Sequence, residues 1–259
     1  MPELPDLQVF SRNLNKKLAG KTLKTISVYK VSKLNISQQD IKKQLEGEKL
    51  EEIYREGKEL RFRFKNGHKL GMHLMLNGKL FLFEKENKQK NMVAELVFND
   101  DTGLVLADFQ GLATLTFDPV EGEAPDALGK GLKATYLEEK LQTTRTAIKN
   151  LLMDQHIIRG IGNAYADEIL WHARLSPFSV CNKIPKHKIE ELTSSIKTVL
   201  KEAEEQILTS HPDLIHGEIR DFLKIHNPKR KESPAGTRIE VQSLNSRKTY
   251  FTAEQELFN

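Results

Sequence analysis

An α+β architecture is predicted by three features of the sequence: one amphipathic run at the start, a succession of short alternating runs, and a change to helical periodicity after a Pro/Gly-rich break. Leu7, Phe10, Leu14 and Leu18 recur at helical spacing. Pro5 suits the first turn of that helix and Gly20 its end. Alternation follows. Leu60, Phe62 and Phe64 point one way and Glu59, Arg61, Arg63 and Lys65 the other, with Asn66-Gly67 as a hairpin turn before Lys69–Met72. Ile26 with Val28, Leu80–Phe83, Val93–Phe98, Leu104–Ala107 and Leu112–Phe117 read as further short strands, with turns at Asn77-Gly78 and Asp101-Thr102-Gly103. Closely spaced strands behind a single leading helix predict a β-sandwich.

The pattern breaks between Pro119 and Pro125, where a domain boundary is expected. Beyond it, Thr144–Met153, Ala164–Ala173 and Pro185–Leu208 read as helices; the last carries Ile189, Leu192, Ile196, Val199 and Leu200 on one face. The final segment alternates again and predicts a two-stranded hairpin, Thr237–Gln242 with Lys248–Thr252, held by Ile239, Val241, Tyr250 and Phe251. The domains expected are 1–120, 121–226 and 227–259.

Composition narrows the class without deciding it. Forty Lys and Arg against 36 Asp and Glu give a net charge of +4, compatible with a nucleic-acid partner only if the charge is locally gathered. Basic residues do gather in the last third, as Lys224, Lys229, Arg230, Lys231, Arg238, Arg247 and Lys248. Cys181 is the only cysteine, which excludes an internal disulfide and fits a reducing compartment. No apolar run reads as a signal peptide or a membrane span, so a cytoplasmic protein is expected.

The residues with the most unusual chemistry come first. If Met1 is removed, Pro2 becomes a free secondary amine. An α-amino group has a reference pKa of roughly 7.7–8.0, so a useful fraction is uncharged at neutral pH and nucleophilic. Glu3 beside it can move protons. On these residues alone, a frayed tail is the other reading. Pro2-Glu3-Leu4-Pro5-Asp6 resembles the N-terminus of the formamidopyrimidine-DNA glycosylase and endonuclease VIII family, usually P-E-L-P-E or P-E-G-P-E; Asp6 keeps the final carboxylate.

A second match lies at Gly160-Ile161-Gly162-Asn163-Ala164-Tyr165-Ala166-Asp167-Glu168. Two glycines give a tight turn, Asn163 can cap, and the N–H groups of a starting helix can face an anion. This stretch, with Ala147–Asp154 before it, resembles the helix–two-turn–helix signature of the same family. The resemblance implies that Asn163 and Lys149 hold phosphates flanking a lesion. It also implies that Lys58, in Arg55-Glu56-Gly57-Lys58-Glu59-Leu60, contacts phosphate at the active site. The family's H-L-G-M-S-G segment reads His73-Leu74-Met75-Leu76-Asn77-Gly78 here, giving Leu76 the part of the apolar wedge that fills the gap left by an extruded base.

Two matches are damaged. The family's D-P-R-R-F-G reads Asp108-Phe109-Gln110-Gly111-Leu112-Ala113, so its intercalating Arg and Phe become Gly111 and Leu112. The family's C-terminal finger places four cysteines around zinc; the corresponding residues are Glu232, Ala235, Thr252 and Gln255, which resembles a zincless finger. Its frame survives as Gly236, Ile239, Arg247 and Thr249, and Arg247 takes the place of the finger arginine that grips phosphate.

The resemblance implies a bifunctional DNA glycosylase and AP lyase of base excision repair, a monomer acting on damaged double-stranded DNA with no cofactor. In it Pro2 and Glu3 do the chemistry, Lys58 assists, the base enters a cleft between two domains, and β- and δ-elimination cut the strand. In a bacterial cell it would be nucleoid-associated. The alternative is a non-catalytic relative that binds lesions or distorted DNA. The short link after Asp221-Phe222-Leu223 leaves oxidised purines and oxidised pyrimidines both open as substrates.

Overall fold

The computed structural model describes residues 1–30, 32 and 34–259. In chain order the elements are α1 (Leu4–Leu18), β1 (Leu23–Val28), α2 (Gln38–Leu45), β2 (Leu50–Glu56), β3 (Glu59–Phe64), β4 (Lys69–His73), β5 (Lys79–Glu84), β6 (Met92–Phe98), β7 (Thr102–Ala107), β8 (Thr114–Phe117), α3 (Ala134–Gln142), α4 (Ile148–Met153), α5 (Asn163–His172), α6 (Lys186–Ser210), β9 (Ile239–Leu244) and β10 (Arg247–Thr252). They form two compact units. The first is Met1–Glu121 with Ile207–Glu218; the second is Gly122–Gln206 with Ile219–Asn259.

The first unit is the predicted sandwich. Two antiparallel sheets, in the orders β1-β6-β7-β5 and β2-β3-β4-β8, share one apolar core. Ile26, Leu96 and Leu104 come from one sheet, Leu60, Phe62, Phe64 and Met72 from the other, and Leu7, Phe10, Leu14 and Leu18 from α1. All four helix positions read from the sequence are therefore core. The Asn66-Gly67 turn joins β3 to β4 with Gly67 at φ +92°, a conformation that disfavours a side chain.

The strand expected over Leu112–Phe117 begins only at Thr114. The cause lies upstream: the Asp108 carboxylate accepts the N–H groups of Leu112 and Ala113 at 2.7 and 2.8 Å, so they are not offered to a ladder. The helix expected from Thr144 starts at Ile148 for a similar reason. The N–H groups of Cys181 and Asn182 bond to the carbonyls of Thr146 and Thr144, holding that stretch in extended pairing.

In the second unit, β9 and β10 pair as the predicted hairpin through Asn245 and Ser246, both at positive φ, which matches a primed two-residue turn. Its packing differs from expectation. Tyr250 is buried and Phe251 meets Phe178 edge-on at 5.0 Å, but Val241 is 51% exposed. Most of the hairpin's grip is polar, as described below. Among the described residues, no helix is long and apolar enough to cross a membrane.

Candidate active site and nucleic-acid interface

Pro2 and Glu3 are buried rather than frayed. Glu3 is the N-cap of α1: its side chain accepts the Asp6 N–H, and its own N–H donates to Asp6 Oδ2 at 2.9 Å. This reciprocal box explains why a carboxylate at position 6 is retained. The Met1 ammonium pairs with Glu218, which reaches it from the segment that joins the first unit late in the chain. The start of the chain is thus fixed on a rigid helix.

Lys58 sits half-buried in the two-residue turn between β2 and β3, where Gly57 has φ +57°. Arg55 braces that turn. Its Nη1 donates to the Gly57 carbonyl at 3.0 Å and its Nε to Gln8 Oε1 of α1 at 2.9 Å. The Lys58 turn is therefore anchored to the helix that carries Glu3. His73 lies close enough to feel Lys58: burial first, then the Lys58 charge, hold its imidazole below its ordinary value. Its Nδ1 accepts the Met75 N–H at 3.1 Å, shaping the turn that displays Leu76 at 59% exposure. Gly78 closes the turn onto the Leu74 carbonyl; a Cβ there would lie 2.3 Å from that oxygen.

The next loop is built around Asp108. This buried carboxylate accepts the N–H groups of Gln110, Leu112 and Ala113 at 2.7–2.9 Å. Phe109 and Leu112 project outward, and Asn77 Nδ2 ties the two loops by donating to Gln110 Oε1.

In the second unit, Gln155 organises the two-turn stretch: its Oε1 accepts the Gly160 N–H and its Nε2 donates to the carbonyls of Met153 and Ile161, each at 2.9 Å. Gly162, not Asn163, is the N-cap of α5. Asn163 occupies the first helical position, and its Nδ2 donates to the Lys248 carbonyl at 3.1 Å. Arg247, next along the chain, is exposed.

Lys149 is a correction. It is 1% exposed, with Nζ 2.7 Å from Asp167 Oδ1, 2.9 Å from Thr249 Oγ1 and 3.2 Å from the Lys248 carbonyl. A buried ammonium must be paired, and this one is, so it braces the hairpin instead of facing a phosphate. Asp167 also accepts the Tyr250 N–H at 3.0 Å and pairs with His226 Nδ1 at 2.7 Å. Its neighbour Glu168 accepts the N–H groups of Lys224, Ile225 and His226 at 2.7–2.9 Å. Burial raises the Glu168 pKa.

The four finger positions do not fit zinc. They carry a carboxylate, a methyl, a hydroxyl and an amide, where structural zinc takes thiolate and imidazole. Two are committed elsewhere: Gln255 Oε1 accepts the Thr252 N–H at 2.8 Å and its Nε2 donates to the Leu175 carbonyl at 2.9 Å. Next to them Glu254 Oε2 accepts from Trp171 Nε1, Ser233 Oγ and Thr252 Oγ1 at 2.8–3.1 Å. A hydrogen-bonded staple stands where the family's finger has metal ligands.

The N-terminal domain of formamidopyrimidine-DNA glycosylase matches residues 1–115, and that enzyme's H2TH domain matches residues 124–212. The formamidopyrimidine-DNA glycosylase of Chloroflexus aurantiacus is 36% identical over 216 residues, covering 78% of this chain and 76% of the relative. The chain belongs to the formamidopyrimidine-DNA glycosylase family. The Carboxydothermus hydrogenoformans enzyme of that name is 31% identical over 87% of this chain and 88% of its own. Among solved structures, wild-type Lactococcus lactis formamidopyrimidine-DNA glycosylase, in complex with DNA containing an oxidised pyrimidine, has a TM-score of 0.87 at 26% identity, covering 98% of this chain and 100% of that one.

As a formamidopyrimidine-DNA glycosylase family member, the chain is a DNA-repair glycosylase with an H2TH DNA-binding domain. The residues that sequence reasoning missed are those that position others: Arg55 behind Lys58, Asp108 under the loop, Asp167 beneath Lys149, and Glu254 at the finger base. Arg55 and Asp108 lie inside the quoted motifs and could have been found there. Glu254 carries no local signal.

Proposed function

We propose that this glycosylase is bifunctional, excising an oxidised base and then cutting the strand as an AP lyase. Once Met1 is removed, the Pro2 nitrogen donates its lone pair to C1′ of the damaged nucleotide. The glycosidic bond breaks, and the base departs with the bonding electron pair and the proton shed by the Pro2 nitrogen. Glu3 protonates the ring oxygen as the C1′–O4′ bond opens, leaving a C1′ iminium. Loss of a C2′ proton then expels the 3′ phosphate, and a further elimination expels the 5′ phosphate. The observation that carries this reading is the placement of Pro2 and Glu3: both are buried at the head of α1, with the Lys58 turn tied to the same helix. Lys58 would hold a phosphate there.

On the second unit, the side chain of Asn163 at the first position of α5 and the exposed Arg247 beside Lys248 are suited to phosphate oxygens, since an Asn amide carries two N–H donors and an Arg fork binds two oxygens. We take the protein to be a monomeric, cytoplasmic enzyme acting on damaged duplex DNA without a metal. The Lactococcus lactis relative was captured on DNA containing an oxidised pyrimidine and also on DNA containing a formamidopyrimidine, so both substrate classes belong in the trial.

Borohydride trapping on an abasic duplex tests the proposal, with Met1 removal confirmed by mass spectrometry. The wild type should give a covalent adduct on the N-terminal peptide. Pro2→Gly should move or weaken it, and on a duplex that carries an oxidised base Glu3→Gln should lower base excision far more than DNA binding. A processed wild type that binds the duplex and gives no adduct would be a binding protein, the alternative that the changed loop at Gly111 and Leu112 favours.

A further inference from the structure

The two tied loops of the first unit present apolar side chains to solvent on a backbone that is firmly held. Leu76 is 59% exposed, Phe109 69% and Leu112 37%. Three amides bound by Asp108, and the bond from Asn77 to Gln110, fix the loop that carries Phe109. Its ring is therefore displayed on a braced backbone. Beside it lies an open recess of about 430 Å³ whose lining includes Lys79, Lys88 and Lys90. Among the described residues, the one carboxylate in that lining is Asp108, already engaged by its three amides. The recess thus brings three lysines and an exposed aromatic side chain to one surface. A polyanion whose units carry flat π faces fits both halves of that surface, and DNA is such a partner.

We propose that Phe109 stacks on an unpaired base of the bound DNA, and that the recess lined by Lys79, Lys88 and Lys90 takes the adjoining phosphates of that strand. This rests on the DNA-repair reading and adds a nucleotide contact to it. The role is grip on a distorted duplex, without any part in bond cleavage. Phe109 would supply an aromatic stacking surface in a loop whose neighbouring positions hold only Gly111 and Leu112.

The test uses the full chain and a duplex carrying one tetrahydrofuran abasic analogue, with 5-iodouracil placed opposite it or at each flanking position in turn. Irradiation should crosslink one of these positions to Phe109, read by peptide mass spectrometry. Phe109→Ala should weaken binding to this duplex about ten-fold, the scale of one lost base–aromatic stack. Phe109→Tyr should restore it and Phe109→Leu should not, which separates stacking from simple apolar contact. The Lys88→Ala/Lys90→Ala pair should flatten the log–log salt dependence by about 1.4–1.8. Equal affinity of wild type and Phe109→Leu, with no crosslink between residues 108 and 113, overturns the proposal while leaving the DNA-repair reading intact. So does a Phe109→Ala protein that loses self-association in sedimentation yet binds DNA as before. A wild type that binds neither intact nor abasic duplex at low salt overturns the DNA reading and this proposal together.

Discussion

In the loop Asp108–Ala113, one buried carboxylate gathers three amides and leaves the side chains between them outside. In the finger, a relay of side chains runs from Lys149 through Asp167 to His226, and a second cluster forms on Glu254. Both regions depart from their family motifs. The loop keeps its backbone scaffold and changes what it displays; the finger keeps its hairpin and changes what holds it. A motif residue whose side chain is only displayed can therefore be exchanged without cost to the fold. A residue that holds the fold must be replaced by another means of holding it.

The largest expected effect lies in the finger. Asp167→Ala strands the Lys149 ammonium in a buried site and should cost about 3–5 kcal/mol, whereas Asp167→Asn, which can still accept the Tyr250 N–H, should cost less. Denaturation followed by Trp171 fluorescence measures this locally, because Trp171 is the only tryptophan and sits in α5. A loss under about 1 kcal/mol would mean that the relay does not hold the hairpin.

Next comes Asp108→Ala, which leaves three amides without their charged acceptor and should cost about 2–3 kcal/mol. Its signature would be proteolysis within residues 109–112. If the loop stays resistant, its side chains, not Asp108, hold it. Glu254→Ala should be milder, about 1–2 kcal/mol, because Glu254 is itself only half-buried and water can enter where its carboxylate stood. Burial works to raise the Glu254 pKa, but the bonds from Trp171, Ser233 and Thr252 outweigh it and leave the pKa lowered. That contribution is present above the ordinary value of 4.5 and is lost as pH falls through the folded value, so the variant should converge with the wild type in acid.

The smallest effect concerns His73. Its folded pKa lies below the ordinary 6.5, so as pH falls the unfolded chain takes up the proton first. The associated stability is present above about 6.5 and fades below it. Protonation also puts a hydrogen on Nδ1, the acceptor of the Met75 N–H. Amide exchange at residues 75–78, corrected for its intrinsic pH dependence, should quicken between pH 7.5 and 5.5 while the finger amides stay protected. Matching changes in both regions would erase the distinction between them.

What could be read in advance follows the range of each interaction. Leu7, Phe10, Leu14 and Leu18 announce α1 because helical spacing is local, and Asn66-Gly67 announces its turn for the same reason. Helix α2 has only Ile41 and Leu45 buried, and α3 only Leu137 and Leu141, too few to stand out as a stripe. Lys149 looked like a surface cation because its partners, Asp167 and Thr249, are distant in sequence and nothing local marks it as buried. Val241 shows the reverse: alternation gives it an inward appearance, yet it faces solvent.

The Glu254 and Gln255 staple has a consequence for chemical endurance. Fingers closed by thiolates lose their metal to chelators and their sulfur to peroxides. This finger contains no sulfur, and the protein's single thiol, Cys181, is buried with its pKa pushed up to about 11, so it holds almost no reactive thiolate. The finger thus offers neither a thiolate nor a thioether to peroxides, and no metal site to chelators.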